Sequence, residues 1–462
     1  MGAWQWGPVD EGGQQVALPA GRHVFCGAAG YEPARRATVW NGLVPDRFPD
    51  VIVRAHTVAD VVSAVRYAAA HGHRIGVCSG GHHWAANHLR DGGVLLDVGG
   101  LDRCVIDPER RVAVVGPGTS GSKFSAELAR HGLFFPTGHC EGVALGGYLL
   151  QGGYGWNGRV LGPACESVLG VDVVTADGQQ RYCDPDTHAD LYWAARGAGP
   201  GFFAVVTAFH LRLHPRPAVC GRGVYSYPVD AADEVFGWAR TISPHVDARV
   251  ELQLIVSRRP PVPGHPGPSI VVAAPVFADS EAEAQAALAI LGSCPVVDQA
   301  LDQTPYAPTS LAEWYAMASV DYPRGHRYAV DNMWTSASAE ELLPGLRRIL
   351  DTLPPPPSHL LMYNWGRSAA RREALYGLED EINLALCAIW ADPADDERYR
   401  GWAETQMAAM AHLASGINLC DENLGRRPAR FATAENMARL QRIRAAYDPD
   451  GRFHSWLGGA ED

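Results

Sequence analysis

The amino-acid sequence predicts an α+β fold made of two main parts. In the first part, segments with helical periodicity alternate with short apolar segments typical of strands. The two prolines of HPRPA, residues 214–218, mark a boundary. Beyond it, ELQLIV at 251–256 and SIVVAAPVF at 269–277 predict sheet strands on either side of the loop 258–268. We therefore predict a layered first domain followed by an antiparallel sheet covered by helices.

A helix over 58–71 is the clearest element of the first part. The spacing of its apolar residues places one face toward a core, with Thr57 as N-cap and Gly72 as the stop. RIGVCS follows directly and predicts a strand. The alternation continues with strands at 94–98, 112–116 and 171–178 and a helix at 122–132.

The second part carries its own element signals. Ser280 precedes Glu283 by three residues, which is a capping-box spacing that predicts a helix start. The segment 381–390 predicts a strand, and 395–415 predicts one long helix. The last segment, ENMARLQRIRAAYDPDGRF, predicts a helix ended by a turn. These signals divide the chain into domains at 1–215 and 216–424, with a C-terminal segment at 425–462.

Composition excludes several classes of function. The chain has 462 residues, and its 39 Lys and Arg against 51 Asp and Glu give a net charge of −12. Such a balance disfavours nucleic acid or an anionic membrane as the partner. No apolar run is long enough to span a bilayer. The opening MGAWQWGPVDEGGQQ lacks the pattern of a secretory signal, so we expect a cytoplasmic protein acting on a small molecule.

Three histidines crowd into SGGHHWAANH at 79–88, and the stretch allows several interpretations. A metal site is disfavoured because His82 and His83 are adjacent and point to opposite faces in extended chain. A catalytic base, a ligand contact and a buried structural histidine remain open from these residues alone.

The glycine-rich stretch 142–158 is the second unusual feature. GYGWNG at 153–158 satisfies the dinucleotide-binding pattern, but no buried strand precedes it, and the glycine and proline that follow would break the required helix. The glycines alternate with large apolar residues, so the stretch is expected to pack. Glycine also lets the backbone approach a flat or phosphorylated ligand closely.

A second motif decides the interpretation of the histidines. The chain reads TGHCEGVALGG at 137–147, about sixty residues after SGGH, and then continues with GGYG and VVTADG. Together with DLYWAARGAGPGFFAVVTAF at 190–209 and YDPDGRF at 447–453, these motifs resemble the berberine bridge enzyme-like FAD-linked oxidases, which have a vanillyl-alcohol oxidase type FAD domain. The resemblance covers nearly the whole chain. It implies a two-part FAD-binding domain over 1–215 and a substrate domain over 216–424.

The resemblance also implies a cofactor and the residues that hold it. His82 would be bonded to the flavin 8α-methyl carbon and Cys140 to flavin C6, giving a bicovalently attached FAD. Imidazole and thiolate are nucleophiles able to add to an oxidised isoalloxazine ring. The remaining residues that the resemblance assigns to the cofactor are Ser79, Gly80, Gly81, His83, Gly146, Gly147, Gly152, Gly153, Gly155, Val205 and Val206. The C-terminal YDPDGRF would fold back on the FAD domain.

The implied reaction is removal of a hydride from a small organic substrate, an alcohol, amine, sugar or natural product, to flavin N5. The residue three positions after the tethered cysteine, Val143, lies at the oxygen site in the family, and a small valine there implies dioxygen as acceptor and hydrogen peroxide as product.

The tyrosines of the family's Y-x-N-Y motif are missing at GINL, 416–419, where only Asn418 survives. The base must come from elsewhere: Tyr363, Tyr322 and Glu422 are candidates, and so are His326 and Tyr328, which lie close to Tyr322 in DYPRGHRY.

Three alternatives remain beside the oxidase. One is a flavin dehydrogenase with another acceptor, and the second is an oxidative cyclase that uses the same hydride transfer. The third is a non-catalytic nucleotide-binding protein, which the presence of both tether residues disfavours. Oligomeric state is not readable from the sequence.

Overall fold

The computed structural model describes residues 17–260, 267–366 and 374–458. The opening segment 1–15, for which we predict no secretory signal, lies outside the described residues, as does most of the loop 258–268. In the described part of the chain, no helix combines the length and the apolar character needed to cross a membrane.

A four-stranded sheet forms the first layer. Its strands lie in the spatial order His23–Phe25, Val51–Arg54, Val94–Asp97 and Ile75–Cys78, and the last three are mutually parallel. The helix Val58–Ala70 crosses between two of these strands. Its N-terminus has a complete capping box, in which the Thr57 side chain accepts the Asp60 N–H and the Asp60 carboxylate accepts the Thr57 N–H. The predicted helix and its N-cap are confirmed.

A five-stranded antiparallel sheet forms the second layer. Its strands lie in the order Cys104–Asp107, Val112–Val115, Ala204–Arg212, Val168–Thr175 and Gln180–Cys183. A short pair, Leu133–Phe134 with His214–Pro215, lies beside it. The helices of this part are Tyr31–Ala37, Val58–Ala70, Gly121–Ala129, Leu145–Leu150, Gly158–Leu161 and Ala189–Ala194. Four of these helices, Val58–Ala70, Gly121–Ala129, Leu145–Leu150 and Ala189–Ala194, share one core with both sheets, whereas Tyr31–Ala37 packs in a separate apolar cluster with Ile52 and Leu95.

The second part is built on a seven-stranded antiparallel sheet, as predicted. The strands lie in the order Asp302–Pro308, Val219–Pro228, Ser269–Ala278, Gln253–Ser257, His359–Asn364, Ile382–Trp390 and Arg327–Thr335. The helices of this part are Ala232–Ile242, Glu281–Leu288, Leu311–Asp321, Ala339–Thr352, Asp396–Tyr399 and Trp402–Ala409. Mixed helices and sheets of this kind confirm the α+β class.

Strand alternation separates the two faces of this large sheet. Leu254 and Leu360 lie in a core with residues of the covering helices. Their chain neighbours Ile255, His359 and Leu361 point the other way, because successive side chains of a strand alternate between faces. One face of the sheet is therefore packed, and the other walls a cavity.

The prediction of one long helix over 395–415 is wrong. The chain forms Asp396–Tyr399, then Trp402–Ala409, then a single 3₁₀ turn, with Gly401 at the break. Glycine is poorly suited to a helix interior. Beyond the turn, Ser415 N–H donates to Trp334 O at 2.9 Å, so the chain leaves the helix to bond along a sheet strand.

The C-terminal segment returns to the first sheet. After the helix Ala434–Tyr447, Ile75 N–H donates to Arg452 O at 2.7 Å, and His454 N–H donates to Ile75 O at 3.0 Å. The Arg452 guanidinium donates to the carbonyls of Ala68 and His73. Residues 452–454 thus lie beside the strand Ile75–Cys78, which leads into SGGH.

Candidate functional site

A cavity of about 680 Å³ lies between the first part of the chain and the uncovered face of the large sheet. The turn 79–83 and the segment around Cys140 line one wall. Residues from six neighbouring strands of the large sheet line the opposite wall, among them Ile255, Val271 and Leu361, which make it largely apolar. The two sequence motifs that predicted a cofactor therefore share one cavity.

His82 is fixed at this wall by stacking. Its ring lies 5.1 Å from the Trp40 ring at an interplanar angle of 24°. Trp40 N–H in turn donates to Gly81 O at 2.9 Å. Burial, followed by the positive charge of Arg324, lowers the pKa of His82 to about 4. The imidazole is neutral at physiological pH, which is the form that acts as a nucleophile.

Cys140 lies on the same wall, and the loop that carries it touches His82. A Cβ built on Gly142 would lie 3.3 Å from His82 Nε2. Burial raises the pKa of the Cys140 thiol to about 12, and the carboxylates of Asp421 and Asp321 add to the shift. The thiol is therefore protonated at neutral pH, and any bond formed at its sulfur requires loss of that proton.

The turn 79–83 offers free donors to the cavity. In the part of the chain that the structure describes, the backbone N–H groups of Ser79, Gly80 and His83 have no hydrogen-bond partner. Converging N–H groups of this kind suit an anion such as a pyrophosphate. Gly147 lines the same cavity, and a Cβ built on it would point into open space. These features fit the phosphates and ring of an FAD.

The other residues assigned to the cofactor divide between the cavity wall and the protein interior. Gly81, Gly146 and Val206 line the cavity, whereas Val205 is buried in the core and Gly152, Gly153 and Gly155 lie away from the wall. The last three glycines make room for aromatic rings, since a Cβ on each would approach Tyr376 or Tyr148 closer than 3.0 Å. The assignment of these four residues to cofactor binding remains a prediction.

We expect alanine substitution to lower the stability of the fold at one glycine of this region and the flavin content at another. A Cβ on Gly155 would lie 2.2 Å from Tyr148 Oη and 2.3 Å from Thr137 O, so Gly155→Ala should lower the free energy of unfolding by about 1–3 kcal/mol. Gly147→Ala is the matched control, because it adds a methyl in a helix without a clash. It should keep the stability and lower the flavin content. Urea unfolding and visible flavin absorbance measure the two effects; equal stabilities would contradict the packing role of Gly155.

Tyr363, one of the predicted bases, lies near a buried acid, Glu251. Its pKa lies well above the usual value because of burial and then the charge of Glu251. Glu251 Oε2 lies 3.0 Å from His139 Nε2, and its other oxygen accepts the Asn157 N–H at 2.6 Å. Tyr363 lines the cavity, but its hydroxyl is buried away from the open space. Sequence reasoning missed Glu251, which lies 112 residues from His139.

Glu422, a second predicted base, lies behind the wall. Its side chain is fully buried, with Oε1 2.9 Å from His83 Nε2. Its neighbour Asp421 lines the cavity instead and accepts the Trp84 indole N–H at 2.7 Å. Burial raises the pKa of Asp421. The 3₁₀ turn Leu419–Asp421 decides which of the two carboxylates faces the open space.

Tyr322, the third predicted base, lines the cavity and pairs with a histidine. Its hydroxyl lies 3.1 Å from His359 Nε2, and both residues are on the wall. Tyr322 follows the helix Leu311–Asp321, and His359 begins a strand of the large sheet. His359 was missed at the sequence level, although strand alternation with Leu361 and Tyr363 was a usable signal.

Val143 lines the cavity beside these groups. Its carbonyl accepts the Gly121 N–H at 2.8 Å, which pins the backbone to the start of the helix Gly121–Ala129. Within residues 17–260, 267–366 and 374–458, no three His, Cys, Asp or Glu side chains are grouped as a metal site requires.

Among known sequences, a family model matches part of this chain and a full-length relative matches nearly all of it. A family model described as "FAD binding domain" matches residues 49–184. The FAD-linked oxidoreductase nodO of Hypoxylon pulicicidum is 32% identical over 433 residues, which cover 92% of this chain and 94% of that protein.

Solved structures match the whole architecture. 6-Hydroxy-D-nicotine oxidase from Arthrobacter nicotinovorans superposes with a TM-score of 0.81 at 24% identity, covering 97% of this chain and 99% of that one. Physcomitrella patens BBE-like 1 gives 0.81 at 18% identity, covering 94% and 96%. Phl p 4, a glucose dehydrogenase, gives 0.79 at 18% identity, covering 95% and 96%. These likenesses establish the fold.

Proposed function

Because this chain belongs to the berberine bridge enzyme-like FAD-linked oxidoreductases, we propose that it is an oxidase that holds FAD covalently through His82 and Cys140. Its substrate is a small organic molecule, and its products are the oxidised substrate and hydrogen peroxide. When bound, FAD supplies the hydride acceptor and passes the electrons to dioxygen. We assign the cofactor to residues 1–215, the substrate to 216–424 and a supporting role to 425–462.

The main support for this proposal is that the loop carrying Cys140 lies against His82 at the same cavity wall. Two nucleophilic side chains from motifs 58 positions apart occupy one wall of one cavity, and one of them is a neutral imidazole. A binding protein that only sequesters a nucleotide has no use for two such groups. Their arrangement supports permanent attachment of a redox cofactor.

The chain's own residues would perform distinct tasks around the cofactor. The N–H groups of Ser79, Gly80 and His83 would hold the pyrophosphate, and Gly147 would leave space for the ring, while Gly146 lets Ser79 pack closely against it. The apolar strand residues of the opposite wall would cover the substrate and exclude water. The mostly apolar wall supports a substrate with an apolar body bearing one alcohol or amine group.

The proposal that dioxygen is the electron acceptor depends on the valine at position 143. Phl p 4 is described as a glucose dehydrogenase, and its isoleucine-to-valine variant is described as a glucose oxidase. A valine in place of isoleucine therefore accompanies oxidase behaviour on this fold. Val143 is the residue that the family pattern assigns to the oxygen site, which supports an oxidase here. The dehydrogenase description of Phl p 4 itself makes a dehydrogenase the second candidate.

A two-stage assay tests the proposal. The purified flavoprotein is mixed without oxygen with single members of a panel of primary alcohols, amines and sugars, and loss of the oxidised flavin absorbance is followed. Air is then admitted and peroxide is measured. An oxidase should bleach with at least one compound and then recover its colour with one peroxide per substrate. Bleaching with slow recovery and no peroxide identifies the dehydrogenase, and a protein without flavin contradicts both.

A further inference from the structure

Tyr322 and His359 form a directional hydrogen-bonded chain that ends in the protein backbone. His359 Nδ1 lies 3.0 Å from Pro357 O. A carbonyl can only accept, so Nδ1 carries the ring proton and Nε2 of the neutral ring is an acceptor. The Tyr322 hydroxyl, 3.1 Å from Nε2, is therefore the donor. The proton of the phenol points at the histidine, and the phenol oxygen keeps lone pairs for a second partner.

We propose that Tyr322 and His359 are the proton acceptor for the substrate, with Tyr322 as the catalytic residue and His359 as the positioning residue that takes the tyrosine's proton. This inference rests on the proposed function, because it names the base of that same reaction. It assigns a role to a pair that joins the end of the helix Leu311–Asp321 to the first residue of a sheet strand.

The proton transfer balances without another reagent. The O–H or N–H bond of the substrate breaks, and its proton forms a new bond to the Tyr322 oxygen. The Tyr322 proton moves at the same time to His359 Nε2, so the ring becomes an imidazolium. The lone pair left on the substrate atom forms the C=O or C=N bond as the hydride leaves the adjacent carbon for the FAD of the proposed function. The phenol never has to become a free phenolate, which its burial disfavours.

The position of Tyr322 suits this role. Cys387, Cys140, Asp421 and Asp321 all lie within electrostatic range of the Tyr322 hydroxyl. Cys140 is the proposed attachment point of flavin C6, and C6 is bonded to the ring carbon that carries N5. The Tyr322 ring also lies against the Trp84 ring, 6.1 Å away at 28°, which restrains its direction.

The surroundings of His359 favour the neutral acceptor. Burial is the main cause that lowers its pKa below the ordinary value. The groups that face it are the Tyr322 phenol, the Cys387 thiol paired with it across the sheet, and the ion pair of Asp321 with Arg259 at 2.8 Å. Asp321 raises the pKa of His359 and Arg259 lowers it, so the two charges oppose each other. Activity should therefore be lost as the pH falls through a value below about 6.5.

Two readouts test the pair, and the first needs no substrate. In the flavoprotein labelled with nitrogen-15 histidine, the His359 signals are assigned by their absence in His359→Gln. At neutral pH we expect a neutral ring with the proton on Nδ1, and an Nε2 signal that shifts in Tyr322→Phe. A proton on Nε2, or an imidazolium at neutral pH, would overturn the proposal whether or not a substrate is known.

The second readout is the anaerobic bleaching rate with benzyl alcohol and with benzylamine. Tyr322→Phe and His359→Gln should each slow bleaching by about 10²- to 10⁴-fold, the usual effect of a general base. The acid limb of the wild-type rate profile should be absent in His359→Gln. Tyr182→Phe and His71→Gln, at exposed positions, are the matched controls and should bleach normally.

The outcomes separate the two proposals. If the wild type bleaches and both variants bleach at the same rate, the relay is wrong and the proposed function stands. If no protein bleaches with either compound or with the wider panel, the proposed function fails, and the nitrogen-15 result still decides whether the hydrogen-bonded chain exists. Retained covalent flavin in each variant shows that the substitutions did not disturb folding.

Discussion

A variant carrying both His82→Ala and Cys140→Ala is expected to release all of its flavin on acid precipitation, whereas the wild-type pellet stays yellow. Each single variant should keep one bond and therefore a coloured pellet. The physical reason is that the imidazole and the thiol are separate nucleophiles from two motifs that meet in one cavity. Absorbance of pellet and supernatant measures the effect.

Matched controls define the specificity of this loss. Cys104→Ala removes a partly buried thiol outside the cavity wall, and His71→Ala removes an exposed histidine. Both should leave the pellet as yellow as the wild type. A wild-type pellet that loses its colour completely would refute covalent attachment. A single His82→Ala variant that loses all colour would limit the attachment to His82.

Replacement of Val143 by isoleucine is expected to slow reoxidation of the reduced flavin by dioxygen at least about tenfold, or about 1.4 kcal/mol in barrier, while anaerobic bleaching by substrate is unchanged. The added methylene occupies space at the wall, and the side chain cannot withdraw because Val143 O is bonded to Gly121 N–H at 2.8 Å. Stopped-flow absorbance after mixing reduced protein with oxygenated buffer measures the rate.

The control for this prediction is Val105→Ile, which makes the same chemical change at a residue 47% exposed on the surface. Its reoxidation rate should equal that of the wild type. An unchanged rate in Val143→Ile would show that oxygen reaches the flavin elsewhere. Slower bleaching by substrate in the same variant would show that Val143 contacts the substrate instead.

Local signals made much of the fold predictable. Thr57 and Ser280 start helices because their side chains accept backbone N–H groups within three residues, so each signal is contained in four positions of sequence. Strand segments such as Ile382–Trp390 were visible in the same way. The broken helix at 395–415 was predictable only in part, because Gly401 at the first break is a local signal, whereas the bond from Ser415 to Trp334 belongs to a distant strand.

The site was predictable to the extent that its residues stand in motifs. His82 and Cys140 each lie within two residues of distinctive glycines, and both reach the cavity. The acid–base groups have no such neighbours: Tyr322 and His359 meet across 37 positions, and His139 and Glu251 across 112. The choice between Asp421 and Glu422 depends on the rotation of one 3₁₀ turn. Interactions of this kind require tertiary packing and leave no local pattern.

The pairing of Ile75 with Arg452 and His454 sets an order of events during synthesis. The strand that leads into the turn 79–83 is synthesised well before the segment 452–454 that lies beside it. Residue 452 follows residue 75 by 377 positions, so at about 5–20 residues per second the delay is about 20–75 s. The turn that would hold the cofactor therefore gains this neighbour only after residue 454 has been made, so we expect attachment of the flavin to follow synthesis of that segment.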